Sequence, residues 1–178
     1  SYETVVLDST TTDPMDLDVA PDGRVFYVER RGVIRIWDPA TGRRTLAGYL
    51  PVTTEEEDGL IGMALAPNFT ETRQLYLYYS PPEGPPRNQL SRFPVEGNRV
   101  ALDRETEILT VPTQRKQCCH TGGSIAFGPE DETLYLSTGD DTNPFGSSGF
   151  APIDERPDRA YWDAQRTSAN TQDLRGKI

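Results

Sequence analysis

The sequence is short of the residues on which most protein chemistry relies. Its 178 residues include one histidine, His120, and two cysteines, Cys118 and Cys119, which are neighbours. One adjacent pair cannot tie distant segments together, so the chain is not a disulfide scaffold. Basic residues are the minority. The 18 Lys and Arg against 28 Asp and Glu leave a formal charge of −10, with no cationic surplus to neutralise phosphates, which excludes a general nucleic-acid binder. No apolar run approaches the roughly 20 residues of a membrane-spanning helix. No basic stretch followed by an apolar core stands near Ser1, so no signal peptide is expected in the chain as given. Any mechanism that needs an imidazole must use His120.

Glycine and proline are plentiful, 15 of each, and they are spread along the chain. Such punctuation suits many short strands joined by turns and argues against a helical bundle. The punctuation also repeats. Asp16–Val28 reads as alternating apolar residues, a Pro-Asp-Gly turn and a second alternating run. Ile61–Phe69 followed by Gln74–Tyr79 repeats the phrase around Pro-Asn, and Ser124–Leu136 repeats it around Pro-Glu. Each predicts a strand, a tight turn and an antiparallel partner. The turn prolines Pro21, Pro67 and Pro129 lie 46 and 62 residues apart. Two further strands are expected in the first unit (Gly32–Asp38, Arg44–Leu50) and in the second (Gln89–Phe93, Glu107–Val111). About four strands in about 40–50 residues is the period of a propeller blade, whereas a β-sandwich would not repeat one hairpin phrase three times. The expected fold is all-β, a β-propeller of which the chain supplies about two and a half blades. The units run about 15–58, 59–118 and 119–178, the last incomplete, with a strand-like start at Gly176–Ile178. An unpaired edge there makes the chain read as the N-terminal part of one longer propeller domain.

In a blade the innermost strand lines the central channel and the second strand returns antiparallel. The loop before the first strand and the loop after the second therefore share one face. That places His120, ahead of Ser124–Phe127, with Glu57-Asp58-Gly59, ahead of Ile61, and with Asp140 and Asp141, after Leu136. One channel mouth is expected to collect all three, a common place for a ligand pocket. An imidazole there can take a proton from a hydroxyl, and the Gly122-Gly123 pair permits close approach of a flat ligand. Cys118 and Cys119 read as two buried thiols, as a disulfide between neighbours, or, least readily, as a metal site with His120. The stretch from Asp141 to Arg175 carries Asn143, Asp154, Asp163, Asn170 and Asp173, oxygen ligands that could bind Ca²⁺ but whose spacing matches no regular loop. Asn143–Gly149 reads as an ordered lid or a plain loop. Asn68-Phe-Thr70 fits a glycosylation sequon, although its place in a repeat turn explains it already.

Four phrases carry a family resemblance. His120-Thr-Gly-Gly-Ser-Ile-Ala-Phe-Gly-Pro129 followed by Leu134-Tyr-Leu-Ser-Thr-Gly-Asp-Asp141, together with Glu57–Phe69 and Asp173–Ile178, resembles the glucose/sorbosone dehydrogenase family of six-bladed propellers, which includes soluble quinoprotein sugar dehydrogenases. The resemblance implies oxidation of a sugar at its anomeric carbon. A histidine takes the hydroxyl proton, hydride passes to pyrroloquinoline quinone (PQQ), and Ca²⁺ polarises the quinone. It assigns His120 as the catalytic base. Glu57 and Asp141, standing where the family has glutamines, become substrate-binding candidates. Cys119 stands at an aspartate beside the base and Gln172 at an asparagine near the quinone, and with Gly122 these are the cofactor-side candidates. An ionised carboxylate only accepts hydrogen bonds, so Glu57 and Asp141 alter the sense of recognition. The quinone's basic clamp and the main Ca²⁺ ligands belong to later blades, so no metal ligand is assigned here and catalysis is expected of the full-length protein. The implied partner is a small-molecule sugar, with an unnamed electron acceptor and a secreted or periplasmic location. Two other readings stand beside this one. The first is a non-catalytic extracellular propeller that binds carbohydrate or protein, suggested by Cys119, Glu57 and Asp141. The second is a calcium-dependent hydrolase, faintly suggested by Asp16 and Asp18.

Overall fold

The computed structural model describes residues 2–129 and 132–178. Strands β1 (Pro14–Val19), β2 (Val25–Glu29), β3 (Val33–Asp38) and β4 (Arg43–Tyr49) form an antiparallel sheet in chain order. A second meander follows with β5 (Leu60–Leu65), β6 (Gln74–Tyr79), β7 (Arg87–Glu96) and, after the two-residue β8 (Arg99–Val100) that folds back on the end of β7, β9 (Thr106–Pro112). A hairpin of β10 (Ile125–Phe127) and β11 (Leu134–Leu136) begins a third unit. These are two propeller blades and the inner hairpin of another. Every strand read from the repeats is present, within a few residues. The exception is Gly176–Ile178, which forms no strand: Lys177 lies alongside Thr138 instead, its carbonyl accepting from Thr138 N–H at 2.9 Å. The turn at Pro67 holds a short helix, α1 (Phe69–Thr72), with Asn68 of the sequon at its N-cap position.

The two faces of the second blade explain its alternation. In β6, Leu75 and Leu77 face the first blade and join Phe26, Val28, Ile34, Ile36, Leu60 and Phe93 in one buried core. Tyr76 and Tyr78 face the other way and pack with Leu90, Val111, Ile125 and Phe127. Edge-on ring pairs close both seams, Phe26 on Phe69 at 5.4 Å and Tyr76 on Phe127 at 5.1 Å. Period-two apolar residues on both faces are what a sheet buried between neighbouring sheets requires. In β5 the register slips between Leu60 and Gly62. The extra residue lets Leu60 and Met63 reach the same core while Ile61 packs on the opposite side.

Asp16 and Asp18 take a different role from the ligand role considered for them. They sit on β1, and their carboxylates accept the backbone N–H groups of Met63 (3.0 Å) and Leu65 (2.9 Å) on β5. Strands β1 and β5 share no ladder, so side chains supply acceptors to the N–H groups that a ladder would have satisfied. The expected effect of Asp16→Ala or Asp18→Ala in the full-length protein is a loss of about 1–3 kcal/mol each, since each leaves a part-buried N–H without its charged acceptor. Asp22→Ala, in the exposed turn beside Arg24, is expected to cost less than about 1 kcal/mol. Urea unfolding followed by circular dichroism measures the difference.

Candidate functional site

The loop that leads into β10, residues 113–124, has no regular secondary structure, so its shape has to come from side chains. Gln114 organises its first half. The Gln114 Oε1 accepts from the N–H groups of Lys116 and Gln117, and its Nε2 donates to the Gln117 carbonyl. Arg115 ties the loop to the second blade. Its Nε donates to Asp58 Oδ2 at 2.7 Å and its Nη2 to the carbonyls of Pro81 and Arg87. Asp58 is buried and also accepts from Ser80 Oγ, so this ion pair is held by additional hydrogen bonds. Nothing in the sequence marked Arg115, one of two adjacent cations in a loop.

The second half of the loop crosses the chain that leaves β11. The N–H of Gly139 donates to the Thr121 carbonyl at 2.9 Å, and the N–H of Asp141 donates to the His120 carbonyl at 3.1 Å. The crossing is so close that a Cβ on Gly139 would sit 1.6 Å from the His120 oxygen, and one on Gly122 would sit 2.3 Å from the Gly139 nitrogen. The need for glycine at 122 is therefore met by the chain's own backbone, which corrects the expectation that a flat ligand explains it. His120 and Asp141 both adopt left-handed backbone angles, with φ of 59° and 56°, as does Glu56 at 48°. Such conformations in non-glycine residues gather where a fold holds a site in a set geometry.

The crossing lays the imidazole against Asp140. His120 Nδ1 lies 2.9 Å from Asp140 Oδ1, an oxygen that also accepts from Thr142 N–H and Oγ1. A carboxylate can only accept, so Nδ1 carries a proton, and in the neutral imidazole Nε2 is the nitrogen with the free lone pair. Among the described residues Nε2 has no partner, and the ring is 44 % exposed. Glu57 Oε2 accepts the Thr121 N–H at 3.1 Å, joining the second blade's loop to the third's. The structure thus brings His120, Glu57, Asp140 and Asp141 together, as the strand directions require. A shallow pocket beside them is lined by Glu55, Glu57, Asp58, Gln114, Cys119 and Asp141, among others.

The other candidates fall differently. Asp141 is buried, and its Oδ2 takes both the Gln114 N–H (2.8 Å) and Arg175 Nη1 (3.0 Å), so it anchors the loop rather than standing open to a ligand. Burial raises its pKa to about 6, against the lowering effect of the Gln114 N–H and Arg175. Cys118 and Cys119 are joined to each other as a disulfide, which decides among the three readings of the pair. Gln172 is exposed, and its N–H donates to Asn170 Oδ1; none of its hydrogen bonds reaches the other candidates. The oxygens of the long connection, considered for Ca²⁺, are engaged within the connection and its neighbours. Asp154 is gripped by Arg156, Arg159 and Ser147, Asp163 accepts from Gln165 N–H, Asp173 pairs with Arg175, and Asn143 accepts from Phe145 N–H. Among the described residues no three His, Cys, Asp or Glu side chains are grouped to hold a metal ion. Asn143–Gly149 is tied down through Asn143 Nδ2 on Gln117 Oε1 and Ser147 Oγ on Asp154. Sequence reasoning missed Asp140 as the histidine's partner and Arg175 as the clamp on Asp141. The doubled acid after β11 and the Asp-x-Arg pattern were the available signals.

Comparison with known proteins agrees with the propeller fold. The family described as Glucose / Sorbosone dehydrogenase matches residues 11–152. A protein of Synechocystis sp. is 30% identical over 141 residues, 74% of this chain and 34% of its own length. An oxidoreductase described as a glucose dehydrogenase from Thermus thermophilus superposes with a TM-score of 0.65 at 37% identity, over 74% of this chain and 38% of that one. The PQQ-bound aldose sugar dehydrogenase of Streptomyces coelicolor superposes with a TM-score of 0.64 at 28% identity, over 80% and 42%. The chain therefore spans about two-fifths or less of the length of these relatives.

The raised pKa of Asp141 fixes the sign of a pH effect. Because the folded value, about 6, exceeds the ordinary 3.8, the folded state holds the extra proton between those values, and stability is lost as pH rises through that window. Asp141→Asn removes the titration. The stability of the native protein relative to this variant is expected to fall between pH 4 and pH 7, as read from paired denaturation curves; a constant difference would exclude the buried carboxyl as its source.

Proposed function

This chain belongs to the glucose/sorbosone dehydrogenase family, and we propose that it forms the proton-accepting side of a PQQ-dependent aldose dehydrogenase site completed by the rest of a six-bladed propeller. The observation that carries this reading is the His120–Asp140 pair with Nε2 unpartnered at the shared mouth of two blades. Asp140 holds the Nδ1–H tautomer and stabilises the imidazolium that forms when Nε2 accepts the proton of a sugar hydroxyl. Glu57 has one oxygen on Thr121 N–H, and its other oxygen accepts a further hydroxyl of the sugar. Asp141, held by Arg175 and Gln114, keeps the loop in register beneath them.

PQQ, when bound, supplies the two-electron acceptor. The residues assigned to it would offer its ring uncharged surface and would not hold its carboxylates. Cys119 and Gly122 are uncharged and line the two pockets flanking Thr121, and Gln172 is the polar contact that the resemblance adds. The neighbouring cations are already engaged: Arg30 with the carbonyls of Glu56 and Asp58, Arg115 with Asp58, Lys116 over the Tyr161 ring, Arg175 with Asp141 and Asp173, and Lys177 with the carbonyls of Thr167, Ser168 and Arg175. Groups that neutralise the quinone's carboxylates, and any Ca²⁺ that polarises it, are therefore assigned to the part of the relatives that this chain does not span. Among the described residues no helix is long and apolar enough to cross a membrane. The Cys118–Cys119 disulfide supports a secreted or periplasmic location, where such bonds persist.

The test is dye reduction by the full-length protein loaded with PQQ and Ca²⁺ against a panel of aldoses. His120→Ala is expected to lower kcat by about 10²–10⁴-fold. Asp140→Asn should lower kcat more than it raises KM, because it disturbs the tautomer and not the sugar's contacts. Turnover that survives His120→Ala unchanged would remove the assignment of the base.

A further inference from the structure

We propose that the Cys118–Cys119 disulfide is the positioning element of His120, and that its reduction releases the imidazole from Asp140. The argument starts from what holds the loop. Gln117 is fixed through its carbonyl, its N–H and its side chain, by Gln114 and Asn143. His120 is fixed through its carbonyl, by Asp141 N–H, and through its ring, by Asp140. Between them, among the described residues, the peptide groups of Cys118 and Cys119 make no hydrogen bond, and neither residue lies in a strand or helix. Two free residues directly before a left-handed histidine would leave its approach angle to rotation about four backbone torsions. The bond between neighbouring sulfurs closes a small ring around the 118–119 peptide and removes that freedom.

The disulfide therefore does for the second half of the loop what Gln114 does for the first. It also accounts for cysteine at 119, where the family's pattern has an aspartate beside the base. The carboxylate that steadies the ring comes from Asp140 across the strand pair, and position 119 is free to serve as a backbone lock. The chemistry of release is simple. A dithiol gives up two electrons and two protons, the S–S bond breaks, two thiols form, and the dithiol closes to its own disulfide. The loop ends stay tied at Gln114, Arg115 and Asp141, so the effect is confined to residues 118–120.

The kinetic consequence rests on His120 being the base, but the structural one does not, so two readouts are used. In the full-length protein labelled with ¹⁵N-histidine, the Nδ1–H proton of His120 is assigned by its absence in His120→Gln. It is expected as a slowly exchanging, hydrogen-bonded resonance in the oxidised protein. It is expected to disappear into solvent exchange after dithiothreitol treatment, with the two thiols counted by mass, and in Cys118→Ala/Cys119→Ala, while circular dichroism is unchanged. Should the double variant fail to fold, dithiothreitol-treated native protein carries the same test. Persistence of the resonance in the reduced protein would overturn the proposal. In the PQQ-loaded enzyme the double variant is expected to lose kcat by about 10²-fold with KM little altered, as misplacement of a catalytic group does. Equal kcat in an active pair of proteins with the resonance retained would equally overturn it; equal kcat with the resonance lost would overturn His120 as the base and leave the disulfide's positioning role standing. If no aldose is turned over in any form, the sugar-oxidising reading fails by itself, and the histidine resonance still decides the role of the disulfide.

Discussion

Everything at the candidate site depends on two backbones passing at contact distance. The segment His120–Gly122 and the segment Gly139–Asp141 are joined by two peptide hydrogen bonds, both donated by the second segment to carbonyls of the first, and no side chain at residue 139 could be accommodated between them. The crossing decides where the imidazole lies. It puts His120 opposite the doubled acid that ends β11, so that one acid, Asp140, meets the ring and the next, Asp141, turns inward to Arg175 and Gln114. Two adjacent carboxylates thus have opposite surroundings. Asp141, buried, has its pKa raised to about 6, whereas Asp140 serves the ring at the surface of the mouth.

The blades exist to hold that crossing still. Alternating residues of β6 load two separate cores, one on each side of the second blade, and β1 carboxylates stitch the inner strands, which share no ladder. A loop of twelve irregular residues then borrows rigidity from three sources: a buried ion pair with Asp58, an amide hub at Gln114, and the linked sulfurs of Cys118 and Cys119. Irregular backbone persists at a site only when the scaffold overdetermines it.

Much of the fold was legible because propeller blades write themselves as period-two patterns with fixed turn chemistry. The three Pro-centred hairpins were readable from Pro21, Pro67 and Pro129 alone, and strand direction then predicted that His120, Glu57, Asp140 and Asp141 would meet. Helix α1 and the β8 fold-back escaped notice because each is too short to show a period. At the candidate site, strand direction anticipated which residues lie together, while several of their contacts were not readable. Gly122 looked like a ligand cradle, since a glycine pair gives no hint whether a ligand or the chain itself comes close. Asp141 looked open because burial of a single loop carboxylate depends on a cation 34 residues away, Arg175. The orienting carboxylate seemed lost at Cys119, yet it arrives from across the strand pair at Asp140, a relation of space and not of sequence.

The central claim is that His120 faces the reacting hydroxyl with its far nitrogen while Asp140 holds the near one. A crystal structure of the full-length protein with an aldose bound measures this directly. The expected result is His120 Nε2 within about 3.2 Å of the anomeric hydroxyl, with Nδ1 still on Asp140. A sugar seated away from this mouth, or His120 turned so that Nε2 rests on a carboxylate of the protein itself, would contradict it.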